Sequence, residues 1–407
     1  MTTYWHPFSD MRTVDQTGEF KIVKGKGSWV WDDQGNKYLD AGASLWYVNV
    51  GHGRKAIGKA MAKQASQMAS FTNFSDVTVP ITNELAEIVA GLAPVPDSKV
   101  FFTSGGSDSV DTAMKMVRKY WQLLNKPSKH TIIVRDRGYH GMHNGGTSLA
   151  GIPDNRAGYG ALDEDVVKVP WDDHEALIKV LDEVGEDNIA ALYCEPIMGA
   201  GGMLIAPDMY LDTVRKACIE RDILFVADEV ITGFGRTGDW FASTRFDLKP
   251  DIMLTAKGLT SGYAPMGAVI AAPKVWNVFA AEGVGVWRHG YTYSGHATCA
   301  AAAIANLKIM KDEQLPKRVR NMEGMFAEAF RSLNDLPSVA TVRTGIGFLA
   351  GIEMVEPGAN FPMMWTLRKH GIVTRPIVGN ALQVSPALTT SEGEIHEMVK
   401  RFRAALS

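Results

Sequence analysis

Short, almost wholly apolar runs closed by turns dominate the middle of this chain, at residues 99–103, 131–134, 189–194, 223–227, 252–256 and 268–271. Runs of this length without polar alternation suit strands buried on both faces. Their alternation with helical patterns predicts an α/β fold, a parallel sheet wrapped by helices. The helix after the first run is the best marked, because Val110, Ala113, Met114, Val117, Trp121 and Leu124 recur on one face. Ligands of such folds gather beyond the carboxyl ends of the strands. Two charged residues emerge there. Asp228 closes the run Phe225-Val226-Ala227, and Lys257 follows Ile252-Met253-Leu254-Thr255-Ala256.

A buried carboxylate and a buried lysine are each costly alone. A bound aromatic cation would pair with the carboxylate, and a carbonyl ligand would consume the lysine as a Schiff base; pyridoxal phosphate is both. Asp228 would keep a pyridine nitrogen protonated, the better electron sink, and Lys257, once freed by substrate, would carry a proton. Ser104-Gly105-Gly106-Ser107-Asp108 links the first run to its helix. Unpaired N–H groups there suit a phosphate, although the same glycines serve a plain turn. Tyr139-His140-Gly141 follows the second run, where the tyrosine can stack on a flat cofactor or pack in a loop. Glu195-Pro196 follows the third, as an active-site hydrogen-bonding group or a turn cap.

At 407 residues the chain exceeds one ordinary core and predicts a large domain with a smaller companion. The hairpin pattern at 27–40 and the changed pattern after Asp312 divide it into 1–55 and 313–407, together one small domain, and 56–312, the large one. The last helix opens on a Ser391/Glu394 capping box and buries Ile395, Met398, Val399, Phe402 and Leu406. A net charge of −3 leaves no footprint for nucleic acid or an anionic membrane, and no apolar stretch is long enough to span a bilayer. The N-terminus lacks a secretory pattern, and Cys194, Cys218 and Cys299 lack paired or metal-ligand spacing. Both point to the cytoplasm. His140, His143, His289 and His296 show no ligand spacing either, so no metal is expected.

The ordered segments Ser-Gly-Gly-Ser, Tyr-His-Gly, Glu-Pro-Ile, Asp-Glu-Val-Ile-Thr-Gly-Phe-Gly-Arg-Thr-Gly, Ala-Lys-Gly-Leu-Thr-Ser-Gly-Tyr and His-Gly-Tyr-Thr-Tyr-Ser-Gly-His resemble the class III, omega-type aminotransferases of pyridoxal-phosphate fold type I. The likeness runs from His6-Pro7-Phe8 to Val384-Ser385-Pro386-Ala387-Leu388. It implies a large domain with a mostly parallel seven-stranded sheet wrapped by helices, and a small α+β domain from both termini. It also implies site roles. Gly105, Gly106 and Ser107 would form the phosphate cup, Tyr139 with His140 and Glu195 would flank the ring, and Val230 would lie under it. Asp228 would meet the pyridine nitrogen and Lys257 would be the Schiff-base lysine. Tyr291 and Thr292 match the segment with which a neighbouring subunit reaches the phosphate, implying a homodimer. The family's Ser-Gly-Ser-Glu-Ala is here Gly105-Gly106-Ser107-Asp108-Ser109, one hydroxyl fewer in the cup.

Acetylornithine- and 4-aminobutyrate-type members usually carry arginine after the aromatic-His-Gly; here Met142 stands there. Leu45-Trp46-Tyr47-Val48-Asn49-Val50-Gly51-His52-Gly53-Arg54 resembles the pocket segment of amine:pyruvate and omega-amino acid:pyruvate transaminases. The resemblance implies an apolar wall of Phe8, Leu45, Trp46 and Tyr139 for an uncharged amine, with Arg375 as the mobile partner of a keto-acid carboxylate; a surface position for Arg375 is the other reading. The expected reaction moves an amino group from an amine or omega-amino acid to pyruvate, giving alanine. Alternatives on this fold are a 2-oxoglutarate-dependent enzyme, an aminomutase or a decarboxylating aminotransferase. A cofactor-binding regulatory protein is a further class, disfavoured because Asp228 and Lys257 are both present.

Overall fold

The computed structural model describes residues 2–407. Its centre is a seven-stranded sheet. The strands are β1 (Lys99–Thr103), β2 (Thr131–Arg135), β3 (Val166–Val169), β4 (Ile189–Cys194), β5 (Leu224–Asp228), β6 (Ile252–Thr255) and β7 (Gly267–Ala271), in the spatial order β1-β7-β6-β5-β4-β2-β3. Only β7 runs antiparallel to its neighbours. β3 is the strand the apolar-run pattern passes over. It lies at the sheet edge and is mostly half-buried, so it tolerates Lys168.

Both faces of the sheet are buried. Ile132, Val134, Tyr193 and Leu254 pack with Val110, Val117 and Trp121 of the helix Gly106–Leu123, while Ile133, Leu192, Phe225 and Met253 face a second layer. Trp121 Nε1 donates to Ala190 O at 2.8 Å and locks that helix to β4. Leu124, expected on the buried face, caps the helix end and is exposed, because the helix stops one residue earlier.

The chain ends meet outside this sheet. The hairpin Trp29–Asp32/Lys37–Asp40 forms as expected, its turn closed by Asp32 Oδ1 accepting from Gln34 N and Asn36 N at 3.0 and 2.8 Å. Lys37–Asp40 then pairs in parallel with Ile372–Val373, joining N-terminal and C-terminal segments in one sheet. A second small sheet holds Val339–Thr344, Ala350–Met354, Ala381–Val384 and Pro376–Ile377. The capping box is present, with Ser391 N donating to Glu394 Oε2 at 2.9 Å, and the helix Glu392–Leu406 buries Ile395, Met398, Phe402 and Leu406; Val399 is half-buried at its margin.

Arg236 ties these pieces together. Fully buried, it donates Nη2 to Asn49 Oδ1 at 3.0 Å and Nη1 to Pro386 O at 2.5 Å, while Asn49 Nδ2 donates to Phe234 O at 2.7 Å. Burial holds its pKa down at about 9, against the pull of Asp40. The loop 43–50 is thereby fixed against the large sheet.

Candidate active site

Register brings the chemistry to one edge. Cys194 pairs with Ala227 across β4 and β5, so Glu195 leaves the sheet beside Asp228. Asp228 pairs with Leu254 of β6, and Lys257 follows three residues on. Tyr139 and His140 come from the loop after β2, and Gly106 and Ser107 from the helix start after β1. These residues, with Leu45, Val110, Gly141, Val230, Ile231 and Ala256, enclose a cavity of about 190 Å³.

The floor of the cavity is a closed polar network. Asp228 Oδ2 lies 2.8 Å from His140 Nδ1, and its Oδ1 accepts from Val230 N at 3.1 Å. Glu195 accepts from Tyr139 N at 3.0 Å and Gly199 N at 3.2 Å, which fixes the Tyr139 backbone over the cavity. Burial raises the Glu195 pKa, the charge of His140 lowers it and Asp228 raises it further. Burial likewise raises Tyr139. Ser107 Oγ accepts from Met142 N at 3.1 Å, and a methyl group on Gly106 would sit 3.1 Å from Val230 Cγ1. Glycine at 106 therefore keeps open the space between helix start and Val230.

Lys257 stands in a different setting. Its φ is +41°, a left-handed backbone for a non-glycine residue, and no carboxylate lies in ion-pair contact with its amine among the described residues. Burial outweighs the attraction of Asp228 and brings its pKa from 10.5 to about 8. Nζ lies 5.2 Å from the centre of the Trp46 ring, and the Arg375 guanidinium 5.1 Å from the same ring. Arg375 is half-buried rather than on the open surface; the only hydrogen bond of its guanidinium among the described residues is a long one to Pro376 O, 3.4 Å, and burial depresses its pKa. Trp46 ends a strained segment, with φ of +46° at Ala43, +56° at Ser44 and +62° at Trp46. Asp40 holds the strain by accepting from Ser44 N at 2.8 Å through Oδ2, the oxygen that also meets His52 Nε2 at 2.8 Å.

Four of the expected site residues do not join this cluster, two of them, Tyr291 and Thr292, being those expected to reach the site of a neighbouring subunit. Phe8 is 76% exposed, at φ +52°, before the first helix, with no apolar layer to draw it inward. Tyr291 packs on the flank of the helix Gly106–Leu123, its hydroxyl 3.1 Å from Thr112 Oγ1 and donating to Asp108 O at 3.2 Å, and Thr292 is exposed beside it. Gly105 caps the helix in an extended conformation just behind the cavity wall. Conversely, Ile231 and Ala256 line the cavity without having been singled out. Their adjacency to Val230 and Lys257 was the available signal. No cluster of His, Cys, Asp or Glu that could hold a metal occurs among the described residues, nor does any helix there have the length and apolarity to cross a membrane.

A lysine amine poised near neutrality, a carboxylate backed by an imidazole and a glycine-serine helix start fit the three ends of pyridoxal phosphate: aldehyde, ring nitrogen and phosphate. Fold and cavity together define a pyridoxal-phosphate enzyme of fold type I. Residues 11–406 match the family model for class-III aminotransferases, and the chain belongs to that family. It is 36% identical over an alignment of 430 positions to the putrescine–pyruvate aminotransferase of Pseudomonas aeruginosa, covering 98% of this chain and 93% of that one. It is 34% identical to the omega-amino acid–pyruvate aminotransferase of Pseudomonas putida, over 98% and 94% of the two chains. The omega transaminase of Pseudomonas jessenii in complex with PMP superposes with a TM-score of 0.94 at 34% identity, over 99% of this chain and 95% of that one.

Proposed function

We propose that this aminotransferase takes the amino group of an uncharged-tailed amine or an omega-amino acid and delivers it to pyruvate, releasing alanine. The observation that carries the acceptor is the shared indole: Lys257 and Arg375 address one Trp46 ring, so a guanidinium without a carboxylate partner stands within reach of a substrate whose reacting carbon meets Lys257. Arginine pairs a carboxylate through two parallel hydrogen bonds, which suits an α-keto acid. Leu45, Trp46 and Tyr139 offer the donor an apolar wall, and Met142 brings no further charge to it. The pyruvate-dependent relatives support the same acceptor.

When bound, pyridoxal phosphate supplies an electron sink for charge developing at the amine-bearing carbon. Lys257 would hold it covalently, Gly106 and Ser107 its phosphate, Tyr139 and Val230 the two ring faces, and Asp228 its nitrogen. Asp228 would keep that nitrogen protonated, and His140, bonded to its Oδ2, holds the carboxylate in orientation. Lys257, neutral above about pH 8, would take the proton from the substrate carbon onto Nζ and hold it there for return. Arg375 orients the keto acid by its carboxylate and excludes water from that side.

The division into residues 1–55 with 313–407 and 56–312 is part of the same proposal, supported by the parallel pairing of Lys37–Asp40 with Ile372–Val373. So is a homodimer in which the partner subunit's Tyr291 and Thr292 approach the phosphate. Exposed Phe71, Phe74, Val286 and Tyr293 supply apolar surface for it. Three unpaired, buried cysteines accord with a cytoplasmic setting.

The test is the visible absorption of the cofactor-loaded enzyme. An amine should bleach the band, and pyruvate should restore it. Restoration by 2-oxoglutarate but not pyruvate would overturn the acceptor, and a band that no keto acid restores would favour mutase chemistry.

A further inference from the structure

Behind the wall that carries Trp46, two arginines lie near one carboxylate, Glu353, which only Arg343 bonds. Arg343 donates Nε to Gly202 O at 2.8 Å and Nη1 to Glu353, while its Nη2 is buried without a hydrogen-bond partner. The Arg137 side chain, half-buried, has neither a hydrogen bond nor an ion pair among the described residues. Its backbone sits at φ +66°, a left-handed conformation unfavourable for a non-glycine residue that the loop after β2 nonetheless keeps. Burial and the neighbouring charge of Arg343 both lower the Arg137 pKa, against the weaker pull of Glu353 and Asp172.

Both Nη2 atoms lie close to one point beside Gly202 and Gly379. A methyl group built on Gly202 would lie 3.1 Å from Arg137 Nη2 and 3.7 Å from Arg343 Nη2; one built on Gly379 would collide with the first and lie 3.9 Å from the second. Glycine at both positions, each at positive φ (+128° and +78°), lets the Arg137 guanidinium approach, and Val378 O stands 2.9 Å from the first methyl position. Two cations held together at a half-buried point, one with an unspent donor, call for an anion.

We infer that Arg137 and Arg343 form a second binding site, separate from the cofactor cavity, for a small oxyanion of carboxylate or phosphate type. An oxygen accepting from each Nη2 satisfies the orphaned donor of Arg343 and offsets the charge that Glu353 leaves uncompensated. The bound anion bridges the loop 199–203 and the turn 378–380. The first adjoins Ile197 and Met203, which pack with Trp46; the second closes the hairpin that follows Arg375. Occupancy therefore braces the support of the substrate rim from outside it.

Calorimetric titration of the cofactor-loaded Arg375→Ala enzyme at fixed ionic strength, with sodium phosphate and separately with sodium acetate, tests the site while removing the anion partner proposed in the cavity. One anion per chain is expected, with affinity at least about tenfold weaker once Arg137→Ala or Arg137→Gln is added. In anion-free buffer those variants should melt no lower than their parent, because repulsion from Arg343 has been relieved; with the anion present the parent alone should gain in Tm. The Gln variant keeps the stem packing should the Ala variant fold poorly, and retention of the cofactor band reports folding in both. Whichever salt binds more tightly identifies the source of the anion. Equal affinity with and without Arg137, or no binding by about 100 mM anion, would overturn the inference.

Discussion

The floor of the cavity and its rim hold their charges by opposite means. Around Asp228 each carboxylate oxygen has a partner, His140 for one and Val230 N for the other, and Glu195 is bonded to two backbone amides on the ends of adjacent, register-locked strands. Around Trp46 the backbone is strained through Ala43, Ser44 and Trp46, the indole Nε1 is buried without a partner, and the Arg375 guanidinium makes one long hydrogen bond. A satisfied network fixes one geometry. An under-satisfied rim leaves a cation and a ring free to meet different substrates in turn, which an enzyme that must accept both an amine and a keto acid in one place requires.

The contrast can be broken most severely at the floor. Lys257→Ala should lower turnover by about 10⁴-fold or more, since one group supplies both tether and proton carrier, and the visible band should disappear. Asp228→Asn should cost about 10²- to 10³-fold in kcat with little change in KM for either substrate, because it removes a charge that acts on the reacting electrons and leaves substrate contacts intact. A comparable rise in KM would mean that floor and rim are not separable. On the rim, Trp46→Leu should change KM for bulky amines by about tenfold while altering kcat for the smallest donors much less, measurable with an amine series.

Acidity gives the smallest of these tests. Lys257 has a lowered pKa, so its neutral fraction grows as pH rises through about 8. The pyruvate half-reaction, in which this amine is free, should speed up between about pH 7 and 9 and then level. The same shift has a stability sign. Below about 8 the folded, cofactor-free chain carries a buried ammonium, and between about 8 and 10.5 the unfolded chain binds the extra proton, so stability should rise with pH across that window. A fall in Tm there, absent from Lys257→Met, would contradict the assignment of that proton to Lys257.

The floor was far more legible in the sequence than the rim. Asp228 and Lys257 follow apolar runs whose burial is a local property, and a parallel sheet brings such run ends to one edge. The strand β3 escaped because an edge position allows polar residues. Phe8 lies away from this cavity for another reason: what surrounds a residue near the chain terminus depends on long-range packing that no local spacing encodes. Arg375 was legible as a residue type, but its seat over Trp46 depends on the pairing of Pro376–Ile377 with Ala381–Val384 and on the strained loop 43–46 meeting it. The Arg137–Arg343 pair left no trace in the motifs, since β2 and the strand Val339–Thr344 lie far apart in the chain.

Separate single-turnover measurement of the two half-reactions in Arg375→Ala probes the division between floor and rim most directly. The amine half-reaction with an uncharged donor should stay within about threefold of the parent, and the pyruvate half-reaction should lose about 100-fold in kcat/KM, the worth of a desolvated guanidinium–carboxylate pair. Equal losses in both halves would contradict the account, because Arg375 would then be supporting the cavity as a whole rather than receiving the acceptor.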